Sequence, residues 1–416
     1  MVDELIKTIS AEKLVKEQIE RISLENLKEF DRIILISIGK AAWTMAHAAY
    51  YVLLENGVRI HSGIVITKYK HSKGMIGAFE IYEAGHPLPD KNTLLATQRV
   101  LEITSCLSKN DLVLFLLSGG GSSLFEFPDE RITLKEIVEI TDQLLKKGAN
   151  IFEINTIRKR LSKVKGGKFA QHVYPGKIIS LILSDVIGDR LDIIASGPTY
   201  PDSSTFDDVI NITKKYNLVL SKDILEVLKV KAPDSIDNVE NRIIGNVRFA
   251  CQEAKKITER MGYHSFILTT SLNCEAKEAG KFLAAIAKEI YYSSVSNEII
   301  RKPVAIIAGG ETVVKVNGNG KGGRNQELAL AFAIEIEGLK DTALCSFGTD
   351  GTDGPTDAAG GIVDGETCQK IRKSGLRPEE FLLNNDSYNA LKIADSLLIT
   401  GPTGTNLNDI VILIVR

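Results

Sequence analysis

The chain has 416 residues, 44% of them hydrophobic and 25% charged, and a formal net charge of -2 at pH 7. That balance is ordinary for a folded globular protein and excludes the strongly basic surface of a nucleic-acid-binding protein, so no nucleic acid partner is expected. The length exceeds what one hydrophobic core usually serves, and two domains with a ligand cleft between them are therefore predicted.

Two further features concern the cellular setting. No apolar run approaches the roughly 20 residues that a membrane-spanning helix needs, so no membrane contact is predicted. The five cysteines are scattered singly, without a CxxC pair, which is typical of free thiols in a reducing compartment. The composition thus indicates a cytoplasmic protein, and it leaves the oligomeric state open, a homodimer included.

The first candidate for ligand binding follows a buried strand near the N-terminus. Residues 32–38 form an almost continuous apolar run, as a parallel strand covered on both faces does. Gly39 and Lys40 end this run, and a helix is predicted over residues 41–54. A strand, a glycine turn and a helix beginning near a lysine make a phosphate-binding corner, although the Walker A spacing is missing. Lys40 is therefore either a ligand contact or an ordinary surface or capping lysine.

Polar residues also follow two later predicted strands, over residues 79–83 and 111–117. The first leads to His86, in the segment AGHPLPD, where the side chain either contacts a ligand or supports the loop. The second ends in three glycines and three serines: Ser118, Gly119, Gly120, Gly121, Ser122 and Ser123. Such a nest of donors suits an anion, and a tight turn with a serine N-cap is the alternative.

A basic segment and an acidic loop come next. In INTIRKRLSKVKGGK, Arg158 and Lys165 lie two turns apart on one face of a predicted helix. They are candidates to reach the cleft, although most charge runs are solvated faces. After a strand predicted over residues 177–183, Asp185 and Asp189 crowd a glycine-containing loop. Mg²⁺ binds one or two carboxylates together with phosphate oxygens, so these aspartates are candidate metal ligands, with solvated turn residues as the alternative.

The second half repeats the alternation of strands and helices. Strands are predicted over residues 242–244, 265–270, 303–308 and 342–347, with helices over residues 247–261 and from residue 275. This alternation predicts a parallel sheet with covering helices in both halves. A polar, aperiodic stretch places the domain boundary between them. The expected organisation is α/β, with one domain over residues 1–235 and another over residues 236–416.

The densest motif is AGGETVVKVNGNGKGGRNQE. Glu311 follows a strand, and a second strand is predicted over residues 312–316. A glycine-rich loop then leads through Lys321 to Arg324 and Asn325, at the start of a helix. Glycines let backbone N–H groups approach an anion, and a helix N-terminus directs further N–H groups to the same place. The loop is therefore predicted to bind phosphate or carboxylate.

A last acidic loop, GTDGTDGPTDAAGG, follows the strand at residues 342–347. Asp350 and Asp353 lie among its glycines, at a spacing unlike that of an EF-hand. A loop that receives a small polyol or a metal-bound phosphate is one interpretation, and a simple turn cluster is the other.

Two enzyme classes could account for the glycine-rich loop. Gly318, Gly320 and Gly323 satisfy the GxGxxG pattern of an NAD(P)-dependent dehydrogenase, but no acidic residue ends a strand about 20 residues later. Phosphoryl transfer instead needs converging cations, carboxylates for Mg²⁺ and backbone donors, and this chain provides them at several strand ends. A non-catalytic sugar-acid binding protein is a third class, and it predicts no affinity for a nucleotide.

A family resemblance covers almost the whole chain. The sequence resembles glycerate 2-kinases of the MOFRL-containing class, a family also labelled hydroxypyruvate reductase, in the segments IGKAA, AGHPLPD, LLSGGGSSL, INTIRKRLSKVKGGK, LSDVIGDRLDIIASGPTYPD, AGGETVVKVNGNGKGGRNQELAL, SFGTDGTDGPTDAAGGIVD and TGPTGTNLNDI. It implies a Rossmann-like N-terminal domain and a smaller C-terminal MOFRL-type domain, with a cleft between them.

The resemblance also implies ATP-dependent phosphorylation of D-glycerate at its 2-hydroxyl, giving 2-phosphoglycerate and ADP, with Mg²⁺ or another divalent cation. NAD(P)-dependent hydroxypyruvate reduction is the alternative. In the family, the lysine of IGKAA and the arginine of GKGGRNQE are the principal active-site residues, here Lys40 and Arg324. Our hypothesis is that these two act from opposite domains, that Asp189 or Asp185 holds the metal ion or accepts the hydroxyl proton, and that the serine-rich turn contacts a phosphate or carboxylate.

Overall fold

The computed structural model describes residues 1–22, 24–293 and 301–416. Within these ranges the strands form two six-stranded sheets. The chain divides into two compact units, one of Ala11–Ile244 and one of Met1–Ser10 with Gly245–Arg416. The boundary expected after residue 235 precedes the last strand of the first sheet, which carries the first unit on to Ile244. The predicted α/β class is confirmed for both halves.

The first sheet has the strand order of a Rossmann-like domain. Its strands are β1 (Arg32–Ile38), β2 (Ser62–Lys68), β3 (Glu80–Ala84), β4 (Asp111–Leu117), β5 (Lys177–Leu183) and β6 (Val239–Gly245). They lie in the order β3-β2-β1-β4-β5-β6, and every pairing from β3 to β5 is parallel. The Rossmann-like prediction is confirmed, and the strand expected near residue 242 belongs to this sheet as β6.

Helices surround the first sheet. The chain begins with α1 (Val2–Thr8), which belongs to the second unit. The first unit contains α2 (Ala11–Arg21), α3 (Leu24–Lys28), α4 (Ala42–Glu55), α5 (Lys91–Ile103), α6 (Gly121–Leu124), α7 (Leu134–Lys146), α8 (Ile151–Leu161), α9 (Lys168–Val173), α10 (Phe206–Lys215), α11 (Lys222–Leu228) and the short 3₁₀ turn Ile194–Ser196. Capping boxes at Asp90, Thr133 and Asn150 fix where α5, α7 and α8 begin.

The core of the first unit supports the turn after β4. Because the sheet is covered, β4 is buried along its whole length. Phe115 on β4 packs against Phe125 and Phe169, with ring centroids 5.1 to 6.0 Å apart. Large aromatic side chains bury much apolar surface, so these three rings hold the end of α6 and the start of α9 against β4.

The second sheet is mixed. Its strands are β7 (His264–Leu272), β8 (Val304–Gly310), β9 (Thr342–Gly348), β10 (Gly360–Asp364), β11 (Leu397–Leu398) and β12 (Asp409–Val415), in the order β11-β10-β9-β12-β8-β7. Only the β7–β8 pairing is parallel, so the expected parallel sheet does not hold here. The reason is that β12 follows an irregular segment without a crossover helix and returns between β8 and β9 in the opposite direction.

Six helices of the described chain cover this second sheet. They are α12 (Val247–Arg260), α13 (Ala276–Tyr292), α14 (Arg324–Glu335), α15 (Thr367–Lys373), α16 (Pro378–Leu383) and α17 (Ser387–Ile393). Residues 325–333 of α14 are buried, because this helix packs against α13 on one side and the sheet on the other. The strand expected over residues 312–316 is only a bridge between Val313 and Glu275. None of the helices in the described ranges is both long and apolar enough to cross a bilayer.

Candidate functional site

The turns that follow β1 and β4 meet at the carboxyl edge of the first sheet. The chain leaves β1 toward β2, on one side, and β4 lies on the other side, so this is the point where the strand order reverses. Open α/β sheets bind ligands at such a point. Lys40 N donates to Gly119 O at 2.9 Å, and Ala41 N donates to Ser118 Oγ at 3.1 Å. The structure therefore brings Lys40 and the serine-rich turn together, as the sequence predicted.

Two glycines permit this close approach. Gly39 has φ +125°, and a Cβ there would lie 2.2 Å from Ser118 Oγ. Gly120 has φ +89°, and a Cβ there would lie 3.0 Å from His86 Cδ2 and 3.4 Å from Lys40 Cγ. Such positive φ values favour glycine, and any side chain would collide with its neighbours. His86 and Lys40 thus both pack against the backbone of the turn.

Lys68 adds positive charge at this edge, and His71, whose pKa is lowered by burial, lies beside it, although the sequence did not single them out. Lys68 ends β2, and His71 Nδ1 lies 3.3 Å from Lys40 O. Within the described ranges, no carboxylate lies at ion-pair distance from the ammonium of Lys40 or Lys68. Burial, and after it charge repulsion from Lys40, Lys68 and His71, lowers the pKa of His86 to about 4. The edge therefore combines a neutral histidine with two lysines whose charge is not neutralised.

Arg158 and Lys165 lie beneath the turn and bind protein groups. Arg158 Nη2 donates to Ser122 O at 2.7 Å, and Lys165 Nζ donates to Phe125 O at 2.5 Å. Both face Glu126, which is 3.8 Å from Arg158 and 3.1 Å from Lys165. Burial lowers the pKa of Lys165 to about 8. The two cations predicted to reach the cleft instead hold residues 122–126 in place from below.

The loop after β5 also contacts the serine-rich turn. Ser196 Oγ bonds to Ser122 Oγ at 3.0 Å and donates to Asn155 Oδ1 at 3.0 Å. Asp189 and Ser196 have positive φ, 54° and 62°, and such strain in non-glycine residues concentrates at functional sites. Asp185 and Asp189 are half-buried in this loop. In the part of the chain that the structure describes, no group of three or more histidine, cysteine or acidic residues is arranged to hold a metal ion.

The second cluster lies in the second unit, at the start of α14. Arg324 Nε and Nη2 donate to the two carboxylate oxygens of Asp409 at 2.6 and 3.0 Å. Its Nη1 donates to Glu311 at 2.8 Å. Burial raises the pKa of Asp409 to about 6, while the guanidinium acts to lower it. Asp409 was not predicted, since nothing in the sequence shows that the first residue of β12 lies beside Arg324.

Asp353 caps α14. Its carboxylate accepts from Asn325 N at 3.2 Å and from Gln326 N at 2.9 Å, so it satisfies the free N–H groups of the helix N-terminus. The carboxyl is buried, and that burial raises its pKa. Asn325 Oδ1 accepts from Ser346 Oγ at 2.7 Å. The structure therefore places the two predicted contacts Asn325 and Asp353 in contact with each other.

The glycine-rich loop uses its backbone donors on protein acceptors. The N–H groups of residues 317–321 donate to the segment 384–386, at distances of 2.8 to 3.1 Å. Lys321 Nζ lies 4.0 Å from the centre of the Tyr388 ring. Asp350 Oδ1 accepts from Thr352 within its own turn. The loop is shaped by close packing against residues 384–386, where a Cβ on Gly318 would lie 2.3 Å from Asn384 O.

These features define an α/β protein whose Rossmann-like sheet presents unneutralised lysines at its switch point. A domain of unknown function (DUF4147) matches residues 1–229, and the MOFRL family matches residues 304–409. The chain is 54% identical over 412 residues to a D-glycerate 2-kinase of Thermotoga maritima, covering 99% of this chain and 96% of that protein.

Further relatives extend this likeness to a solved structure. A glycerate 2-kinase of Pyrococcus horikoshii is 43% identical over 406 residues, covering 93% of this chain and 89% of that protein. The crystal structure of glycerate kinase from Thermotoga maritima matches with a TM-score of 0.94 at 53% identity, covering 100% of this chain and 97% of that one. The chain therefore belongs to the glycerate kinase family that joins a DUF4147 domain to a MOFRL domain.

Proposed function

We propose that this protein is a glycerate 2-kinase, which transfers the terminal phosphoryl group of ATP to the 2-hydroxyl of D-glycerate and releases 2-phosphoglycerate and ADP. The observation that carries the proposal is the pair of unneutralised lysines, Lys40 and Lys68, beside the serine-rich turn. The substrate, the hydroxyl and the reaction are inferred from the relatives at 54% and 43% identity, a D-glycerate 2-kinase and a glycerate 2-kinase.

The cluster in the first unit suits the anions of this reaction. Phosphoryl transfer depends on positioning and on stabilising the charge of the equatorial oxygens, with little covalent work for the protein. Lys40 and Lys68 supply point charges, and the turn from Ser118 to Ser123 supplies hydroxyl and N–H donors. We assign Lys40 to the oxyanion of the substrate, and His86, which is neutral at pH 7, to a hydrogen bond with it.

Asp185 and Asp189 are the proposed ligands of a divalent cation. They belong to one loop and offer the hard carboxylate oxygens that Mg²⁺ prefers, with phosphate oxygens and water completing its shell. Mg²⁺, when bound, would neutralise phosphate charge. We propose that Asp189 or Asp185 also accepts the proton of the 2-hydroxyl, because carboxylates at a strand end are suitably placed bases.

Arg324 is the proposed contact in the second unit. A guanidinium binds oxyanions through parallel N–H groups at fixed geometry, and Asp409 holds this one in a single orientation. We propose that Arg324 stabilises the negative charge that develops on the transferred phosphoryl group.

The reductase alternative is disfavoured by the glycine-rich loop. A dinucleotide-binding loop must direct free N–H groups at a pyrophosphate. Here the N–H groups of residues 317–321 already donate to residues 384–386, and Asp353 caps the helix that follows. The GxGxxG pattern of Gly318, Gly320 and Gly323 thus reflects close backbone packing.

We further propose that the protein works in the cytoplasm. All five cysteines are free thiols: Cys106, Cys251, Cys274, Cys345 and Cys368. Unpaired thiols suit a reducing compartment, and ATP and small organic acids are available there.

The direct test is to incubate the protein with D-glycerate, Mg²⁺ and ATP, and separately with hydroxypyruvate and NADPH. We expect ADP and 2-phosphoglycerate with ATP, and no change in nicotinamide absorbance when hydroxypyruvate and NADPH are supplied. ³¹P NMR of the product identifies the phosphorylated hydroxyl. Oxidation of NADPH without ADP formation would show that the reductase assignment is the correct one.

A further inference from the structure

The two carboxylates that bind Arg324 differ sharply in their surroundings. Asp409 is 6% exposed and accepts from Nε and Nη2 of the guanidinium, whereas Glu311 is 47% exposed and accepts from Nη1 of the guanidinium. A guanidinium has five N–H donors in a rigid plane. Asp409 therefore binds the inner edge of the plane, and Glu311 contacts the outer edge. Within the described ranges, one N–H of Nη1 and one of Nη2 are left there for another acceptor.

The backbone fixes Asp409 more firmly than Glu311. Asp409 is the first residue of β12 and pairs with Gly310 of β8 on one side and Gly348 of β9 on the other. Strand residues bonded on both sides hold a side chain more rigidly than loop residues do. Glu311 follows the end of β8, and its second oxygen accepts from Asn408 Nδ2 at 3.2 Å.

We propose that Asp409 is a positioning residue that orients Arg324, and that Glu311 is a placeholder that a substrate oxyanion displaces from Nη1. This inference rests on the proposed function, because the oxyanion is a phosphate of ATP or the carboxylate of glycerate. In the absence of substrate, Glu311 neutralises the exposed edge of the guanidinium. An incoming anion meets the charge of Glu311 at the same nitrogen, so binding requires that carboxylate to move away.

Glu311→Gln tests the placeholder. Gln keeps the shape and removes the charge, so the KM of the substrate that binds Arg324 is expected to fall about two- to fivefold, as for a partly exposed charge pair, while kcat stays within twofold of wild type. KM is measured separately for ATP and for glycerate, and the value that falls identifies the oxyanion. If neither KM falls, or if kcat collapses, Glu311 is not a placeholder.

A matched control is available in the same unit. Arg372 also bridges two carboxylates, Glu337 and Glu379, on the surface. Glu337→Gln removes one charge from a comparable arrangement outside the site. We expect both KM values of this variant to equal those of the wild type. An equal fall in Glu337→Gln would assign the effect to net charge and overturn the placeholder.

Asp409→Asn tests positioning. Asn has a single side-chain oxygen and cannot accept from both Nε and Nη2 of Arg324. The guanidinium is then slightly misplaced, and kcat is expected to fall about 100-fold. Arg324→Lys, which keeps the charge and lacks the planar fork, should show a similar fall. Because Asp409 is buried, the folding of Asp409→Asn is first checked by thermal unfolding. If this variant does not fold, Arg324→Lys alone decides whether the orientation of the guanidinium matters. Wild-type kcat in Arg324→Lys would overturn the positioning role.

The pH profile separates positioning from mere structural support. In the described part of the chain, Asp409 is surrounded by the charged groups of Arg324, Glu311, Asp350 and Asp353. With its pKa near 6, Asp409 takes up a proton as the pH falls through that value, and wild-type kcat/KM should fall with it. Asp409→Asn should lack this acidic limb. An unchanged limb in the variant contradicts the inference, whereas a wild-type protein that forms no ADP contradicts the proposed function itself.

Discussion

Lys40 and Lys68, at the carboxyl edge of the first sheet, carry charges that no carboxylate neutralises within the described ranges, whereas Arg324 in the second unit is shared by Asp409 and Glu311. The lysines are flexible point charges, and a planar guanidinium needs a partner to define its orientation. The first region is therefore arranged to attract an anion, and the second is arranged to hold the guanidinium of Arg324 in one orientation.

This difference has consequences for stability as well as for binding. Removing a cation that has no partner leaves nothing unsatisfied, whereas removing one partner of a buried pair leaves the other without compensation. Substitutions in the two regions should therefore separate catalytic loss from folding loss. The expected effects below run from the largest to the smallest.

Arg324→Ala should reduce both activity and stability. Loss of the guanidinium removes a charge-stabilising donor, so kcat is expected to fall about 10²- to 10³-fold. Asp409, which is buried, loses its two bonds from the guanidinium, and the free energy of unfolding should fall by about 1–3 kcal/mol. Steady-state ADP release and urea unfolding measure the two effects. Full stability in this variant would show that Asp409 does not depend on Arg324.

Lys40→Ala should reduce activity alone. Turnover is expected to fall about 100-fold, since an oxyanion contact is lost, while the urea midpoint stays at the wild-type value because no acidic partner is stranded. Lys40→Arg, which keeps the charge, serves as the control and should retain more activity than the alanine variant. Near wild-type turnover in Lys40→Ala would remove this lysine from the site.

Lys68→Ala should weaken substrate binding moderately. One charge near a bound anion contributes about 1 kcal/mol at a hydrated edge, so KM should rise about fivefold with a small change in kcat. Raising the salt concentration should reduce the difference in KM between Lys68→Ala and the wild type, because salt screens exposed charges. Lys70→Ala is the matched control, since Lys70 is exposed on the same turn. Equal effects from both substitutions would indicate general charge attraction and no specific contact.

The smallest expected effect is on His86. Its pKa of about 4 results first from burial and then from Lys40, Lys68 and His71. Removing a neighbouring positive charge favours the protonated ring, so the pKa of His86 should rise in Lys68→Ala and still stay below its ordinary value of 6.5 because burial persists. NMR titration of the ring protons measures this. An unchanged pKa would place Lys68 too far away to act on the histidine.

Much of the fold could be predicted because continuous apolar runs determine buried strands locally. The bounds predicted for β1, β4 and β5 match those of the structure. The family and the Rossmann-like first domain are confirmed. The direction of β12 was not predictable, since it depends on how a segment without regular structure returns across the sheet. The strand β10 was missed because its two initial glycines interrupt the apolar pattern.

The site was only partly visible in the sequence. Strand-end positions identified Lys40, His86 and Ser118 to Ser123, which the structure brings together, and the catalytic roles of Lys40, Arg324 and Asp189 stay predictions. Lys68 was overlooked, because a single lysine at a strand end resembles any surface lysine until its neighbours are known.

The sequence by itself determined which residues can carry charge and where the chain turns, because glycines, prolines and apolar runs act on their immediate neighbours. Only the tertiary structure decided which charges are neutralised. Asp409 binds Arg324 although the two lie 85 positions apart in the chain. Residues 384–386 accept hydrogen bonds from the backbone N–H groups of the glycine-rich loop. Electrostatic pairing depends on distance in space, which separation along the chain does not show.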